Sequence, residues 1–227
     1  MAGTDGREFD AVRFDLDGTL VDTAPDMVAV LQAMQVDQGR RPVDYTTGRS
    51  YVSNGAIGLL GLAFPELDAP FGGDLHREFL VRYQKRVCVD SSLFDGFGDL
   101  LDMLDTAGRP WGIVTNKPAH LTDPLLEALG LHERSACTVS GDTLPVRKPD
   151  PTPLLHACGL VPVDPGRTIY VGDAARDIEA GRAAGMTTIG VRYGYITADD
   201  SPEAWGADHL VDTPAELAQM VLKAVNL

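Results

Sequence analysis

The chain has 227 residues, 44% of them hydrophobic, which is enough to fill the core of one α/β domain carrying an insertion. Its 19 basic against 33 acidic side chains give a net charge of -14, and no basic cluster exceeds Arg40-Arg41, so a nucleic-acid backbone would be repelled and an anionic ligand would need locally placed cations. The absence of an apolar run of about eighteen residues, and a polar start in place of a signal peptide, lead us to expect a cytoplasmic protein with no membrane partner, monomeric or homodimeric.

The three cysteines, Cys88, Cys137 and Cys158, are odd in number and widely spaced, which argues against a disulfide framework or a thiolate metal site. The five histidines, His76, His120, His132, His156 and His209, show no zinc-ligand spacing. The first strand is expected at Ala11 to Phe14. Three helical stretches then follow without a convincing strand: Ala24 to Gln38, Ser50 to Leu62 and Asp74 to Val87. Beyond them, helix-like segments at Asp99 to Ala107, Ala119 to Leu129 and Ala174 to Ala184 alternate with short apolar runs at Trp111 to Val114, Thr138 to Ser140, Thr168 to Val171, Thr187 to Val191 and His209 to Val211. That alternation implies a doubly wound, Rossmann-like parallel sheet. Its core spans residues 1–22 and 91–227, and an all-helical insertion occupies residues 23–90.

Ligands of such sheets bind at the carboxyl ends of the strands, so the residues ending each strand carry the chemistry. Asp15 and Asp17 follow the first strand, Thr115, Asn116 and Lys117 a second, and Asp173 with Asp177 a later one, while Lys148 lies in the loop RKPDP. The set suits phosphoryl transfer. Asp15 can attack as a carboxylate, and Asp17 can protonate the leaving group and then activate water. Asp15, the Asp17 carbonyl and Asp173 offer hard oxygen ligands for Mg²⁺, Thr115 and Lys148 a hydroxyl and a cation for the phosphoryl group, and Gly18 with the Thr19 amide a backbone that closes on it. A calcium loop does not fit, because Gly18 comes two positions early and Asp26 stands where a bidentate Glu is needed.

FDLDGTLVDT, IVTNK, RKPDP and VGDAARD, in this order, resemble the four motifs of the haloacid dehalogenase-like hydrolases over nearly the whole chain. The resemblance implies Asp15 as nucleophile, Asp17 as acid/base, Thr115 and Lys148 as phosphate-orienting groups, and Asp15, Asp17 and Asp173 around Mg²⁺ with Asp177 in support. The insertion matches the position of that family's helical cap. Members that cleave carbon–halogen bonds lack the second Asp, so Asp17 argues for phosphate chemistry. Two alternatives stay open: phosphosugar mutases, which share all four motifs, and a non-enzymatic phospho-acceptor such as a receiver domain, which is half this length and lacks the insertion.

The substrate is expected to be a small phosphorylated metabolite. VTNKPAHLTDPLLEALGL, VSGDTLPVRKPDPTPLLHACG and YGYITADDSPEAWGAD resemble the phosphoglycolate phosphatase branch, in particular the N-acetylmuramic acid 6-phosphate phosphatases. Arg49, Ser53 and Asn54 in the insertion, with Asn116 and Lys117 in the core, are the expected contacts to its leaving group. A solvated arginine beside an ordinary capped helix is the competing reading of the Arg49 segment.

Overall fold

The computed structural model describes residues 9–67 and 70–227, so residues 1–8 of the expected core lie outside the described residues. In chain order the elements are β1 (Ala11–Phe14), β2 (Val21–Asp22), α1 (Ala24–Asp37), α2 (Tyr45–Ser50), α3 (Gly55–Ala63), α4 (Asp74–Gln84), β3 (Ser92–Leu93), α5 (Phe97–Thr106), β4 (Trp111–Val114), α6 (Ala119–Ala128), β5 (Thr138–Val139), α7 (Thr152–Leu160), β6 (Thr168–Gly172), α8 (Ala175–Ala183), β7 (Thr187–Val191), β8 (His209–Val211) and α9 (Pro214–Ala224). Six strands form one parallel sheet in the order β5-β4-β1-β6-β7-β8.

The central strands β1, β4 and β6 are largely apolar and buried along their whole length, Arg13 of β1 included, because helices cover both faces of the sheet. On one face Val12 and Phe14 of β1 pack with Phe97, Leu100, Leu101 and Leu104 of α5 and with Leu217 and Val221 of α9. The Phe14 and Phe97 rings meet edge to face at 5.8 Å. On the other face Val114 and Tyr170 pack against Leu154 and Ala157 of α7 and Ala180 of α8. The chain winds outward from β1 through β4 to β5, then returns to the opposite side of β1 at β6. The switch point, where the crevice for a ligand opens, therefore lies between the ends of β1 and β6.

Between β2 and β3 the regular elements among the described residues are all helices, with a two-stranded antiparallel ribbon at their base that pairs Val21 with Leu93 and Asp22 with Ser92. The sequence gives no sign of this ribbon because each strand is two residues long. The expected helix over Ser50 to Leu62 is in fact divided. Asp44 accepts from the Thr47 amide at 3.0 Å and caps α2, Val52–Asn54 form a separate turn of 3₁₀ helix, and Gly55, at φ 65°, opens α3.

Asp26 fastens the return to the core. Completely buried in the first turn of α1, its carboxylate accepts from the amides of Val89, Asp90 and Ser91 and from the Ser91 hydroxyl, and it pairs with Arg86 at 3.0 Å. A buried carboxylate satisfied in this way holds the linker against α1.

Candidate active site

The end of β1 carries Asp15, whose amide still donates to Val171 of β6 at 2.8 Å, so its buried side chain is delivered straight into the crevice. Asp173 directly follows β6, and Asp177 lies in the first turn of α8, its Oδ2 accepting from the Ala174 amide at 3.1 Å. One carboxylate oxygen from each of the three lies within 4.8 Å of the others. Two glycines make the approach possible. Gly18 has φ +81° and a Cβ there would stand 2.2 Å from Asp173 Oδ2, while one on Gly194 would stand 2.3 Å from Asp173 Cβ.

Lys148 neutralises part of this charge. Its ammonium lies 2.9 Å from Asp15 Oδ1 and 2.7 Å from Asp177 Oδ1, and it donates to the Val114 carbonyl at 2.8 Å and the Tyr170 hydroxyl at 2.7 Å. Asn116, expected to face a leaving group, instead clamps the Lys148 backbone: its Nδ2 donates to the Lys148 carbonyl at 2.9 Å and its Oδ1 accepts from the Lys148 amide at 3.1 Å. The buried Thr115 extends β4 by donating its amide to Val139, and its hydroxyl accepts from the Lys117 amide at 3.2 Å. The Thr19 hydroxyl is buried without a partner among the described residues, whereas the Gly18 amide is committed to the Val21 carbonyl at 3.0 Å.

Asp17 faces a separate cluster. Its Oδ1 accepts from Thr23 Oγ1 at 2.6 Å and from Lys117 Nζ at 2.9 Å, and Lys117 also donates to the Tyr83 hydroxyl of α4 at 2.9 Å. Burial works against the Lys117 charge, yet Asp17 and the Tyr83 oxygen hold the ammonium above its ordinary pKa. Tyr83 is pushed up to about 12 by burial and by the nearby Asp17 carboxylate, so its hydroxyl stays protonated.

The helical segment meets the core through the residues singled out in sequence. Arg49 donates to the carbonyls of Gly194 and Tyr193, both at 3.1 Å, and its guanidinium lies 4.8 Å from the centre of the Tyr195 ring. Ser53 donates to Asp173 Oδ2 at 2.6 Å, and its carbonyl accepts from Arg176 at 2.7 Å. Asn54 lines a cleft of about 290 Å³ with Ser53, Arg176, Tyr195, Thr197 and Asp200. Tyr195, unassigned in the sequence, donates its amide to Asp173 Oδ2 at 2.9 Å, while its hydroxyl donates to Asp22 at 2.7 Å and accepts from the amides of Thr23 and Ala24. Tyr83, Tyr170 and Arg176 were also passed over, although Arg176 stands inside VGDAARD and Tyr195 opens YITADD.

The three-carboxylate cluster suits a hard divalent cation. Asp173 Oδ1 is buried with no hydrogen-bond partner among the described residues, the condition of an oxygen kept for a ligand. Without a cation, burial and then the charges of Asp15 and Asp177 push the Asp173 carboxyl up to about 7. Asp177, with Oδ1 on Lys148 and Oδ2 on Ala174, is placed to support the cluster from behind.

The chain is similar to known proteins over nearly its whole length. Over 216 residues the chain is 47% identical to the N-acetylmuramic acid 6-phosphate phosphatase of Pseudomonas aeruginosa, covering 95% of this chain and 96% of that one. Over 208 residues it is 46% identical to a phosphoglycolate phosphatase of Xylella fastidiosa, covering 92% and 91%. The crystal structure of a predicted phosphoglycolate phosphatase from Haemophilus somnus superposes with a TM-score of 0.82 at 28% identity over 94% of this chain and 98% of that one. Residues 9–185 match the family model described as haloacid dehalogenase-like hydrolase, and the chain belongs to that family.

Proposed function

We propose that this chain is a Mg²⁺-dependent phosphatase that hydrolyses the phosphomonoester of a small anionic metabolite, of the phosphoglycolate or N-acetylmuramic acid 6-phosphate type, through a phosphoryl group carried on Asp15. The observation that carries the reading is the meeting of Asp15, Asp173, Asp177 and Lys148 at the switch point, with one Asp173 oxygen unpartnered among the described residues. Asp15 attacks phosphorus while the bond to the leaving oxygen breaks, and Asp17 gives that oxygen its proton. Asp17, now a carboxylate, then takes a proton from the water that releases phosphate. Lys148 and Thr115 orient the phosphoryl oxygens. Asp15, the Asp17 carbonyl and Asp173, supported by Asp177, would hold the Mg²⁺, which when bound would offset the charge gathered on the phosphoryl oxygens. We assign residues 23–90 as a cap that closes over this site.

Removing the metal checks the first part. EDTA is expected to silence the hydrolysis of phosphoglycolate, N-acetylmuramic acid 6-phosphate and an aryl phosphate, and added Mg²⁺ to restore it. Full activity in a demonstrably metal-free preparation would refute the assignment. The ratio of kcat/KM for the two metabolites under Mg²⁺ decides between the substrate types.

Arg49 supplies a second test. With its guanidinium on the Tyr193 and Gly194 carbonyls it acts as a clasp between cap and core rather than as a carboxylate receptor. Hydrogen bonds from a charged donor are worth about 1.5–3 kcal/mol. Arg49→Ala should therefore lower kcat/KM by about ten- to a hundredfold, equally for an anionic metabolite and for a neutral aryl phosphate. A loss confined to the anionic substrate would return Arg49 to the leaving group.

A further inference from the structure

The two oxygens of Asp173 have different surroundings. Oδ1 is buried and unpartnered among the described residues, whereas Oδ2 accepts two hydrogen bonds, from the Tyr195 amide at 2.9 Å and from Ser53 Oγ at 2.6 Å. The first donor belongs to the core. The second comes from the 3₁₀ turn Val52–Asn54, 120 residues away in sequence. Ser53 is itself held at both ends, its hydroxyl on Asp173 in the turn after β6 and its carbonyl on Arg176 in the first turn of α8.

A serine hydroxyl has one proton to give, and here it goes to Asp173. What remains are lone pairs, which offer nothing to the unprotonated oxygens of an anionic substrate. With both donors on Oδ2, the carboxylate plane is fixed and Oδ1 is presented to the cluster with Asp15 and Asp177. Loss of Ser53 Oγ leaves one donor, about which the carboxylate can turn.

We propose that Ser53 is a positioning residue for the metal: the cap supplies, through this hydroxyl, the hydrogen bond that orients Asp173, so that cation affinity depends on the cap being seated. This rests on the reading of Asp173 as a Mg²⁺ ligand. The dependence is reciprocal, so bound Mg²⁺ favours the seated cap by the same factor.

Calorimetric titration of the substrate-free protein with Mg²⁺ tests it, comparing wild type with Ser53→Ala, Ser53→Thr and Asp173→Asn. Ser53→Ala should raise the Kd for Mg²⁺ about ten- to a hundredfold, the usual range for removing a partner of a metal ligand. Ser53→Thr, which keeps the hydroxyl, should stay near wild type, and Asp173→Asn should abolish binding. An unchanged Kd in Ser53→Ala, with only the KM for substrate raised, would overturn the proposal and make Ser53 a substrate contact. Equal weakening in the alanine and threonine variants would deny the role to the hydroxyl. Wild-type affinity in Asp173→Asn would instead remove Asp173 from the metal site, a failure of the underlying reading that the serine variants alone do not produce.

Discussion

Asp15→Asn is expected to fold normally and to lose phosphatase turnover by about 10⁵-fold or more, as happens when the nucleophile of a covalent mechanism is removed. The amide is nearly isosteric but has no charged oxygen with which to attack phosphorus. Folding should survive because the crowded site gives up a negative charge. Asp173, whose proton affinity is raised by burial and by Asp15, loses one source of repulsion, and Lys148 keeps Asp177 at 2.7 Å. The measurement is paired: steady-state release of phosphate, and acid quenching with radiolabelled substrate. Wild type should retain covalent label and the variant none. Appreciable turnover by Asp15→Asn would remove Asp15 as nucleophile.

The strand-end residues were legible because strands buried on both faces leave a largely apolar run, and those of β1, β4 and β6 give way to Asp15, Thr115 and Gly172-Asp173. Asp15, Thr115 and Asp173 are located by that discontinuity. Lys148 is found through its motif, and the structure supplies the reason for its neighbours: Asn116 exists to hold the lysine backbone. What the sequence hid are contacts between distant segments. Arg49 and Gly194 are 145 residues apart, and nothing local in YTTGRS distinguishes a guanidinium that clasps two carbonyls from one that waits for a carboxylate. The tyrosines were missed for a related reason. Tyr83, Tyr170 and Tyr195 sit where an apolar ring is expected in the core, and only the structure shows which hydroxyl each ring delivers. The break before Gly55 was equally hidden, because apolar residues on both sides continue a helical spacing across it.

Lys148→Met should be the most destabilising of the single changes at this site. The lysine is almost wholly buried, and its ammonium is the cation that lies between Asp15 and Asp177. Removing one partner of a buried ion pair costs about 3–5 kcal/mol, because the remaining charge keeps its desolvation penalty and loses its compensation. For a chain of this size each kcal/mol lowers Tm by about 2–4 °C, so a fall of roughly 6–20 °C is expected in the metal-free protein. The pH dependence distinguishes this mechanism from a simple packing defect. Asp177 is already raised by burial and by Asp15, with Lys148 holding it down; without the lysine its folded-state pKa rises further above the unfolded value. A carboxylate whose pKa is raised on folding binds more protons in the folded state, so the stability of the variant should fall as pH increases through the interval between the unfolded and folded values. The gap in Tm between wild type and Lys148→Met should accordingly widen from pH 5 to pH 8. Mg²⁺ should narrow it, since a bound cation supplies the positive charge that the lysine gave. A gap that is independent of both pH and Mg²⁺ would mean that Lys148 contributes by filling space, and that the carboxylates do not need its charge.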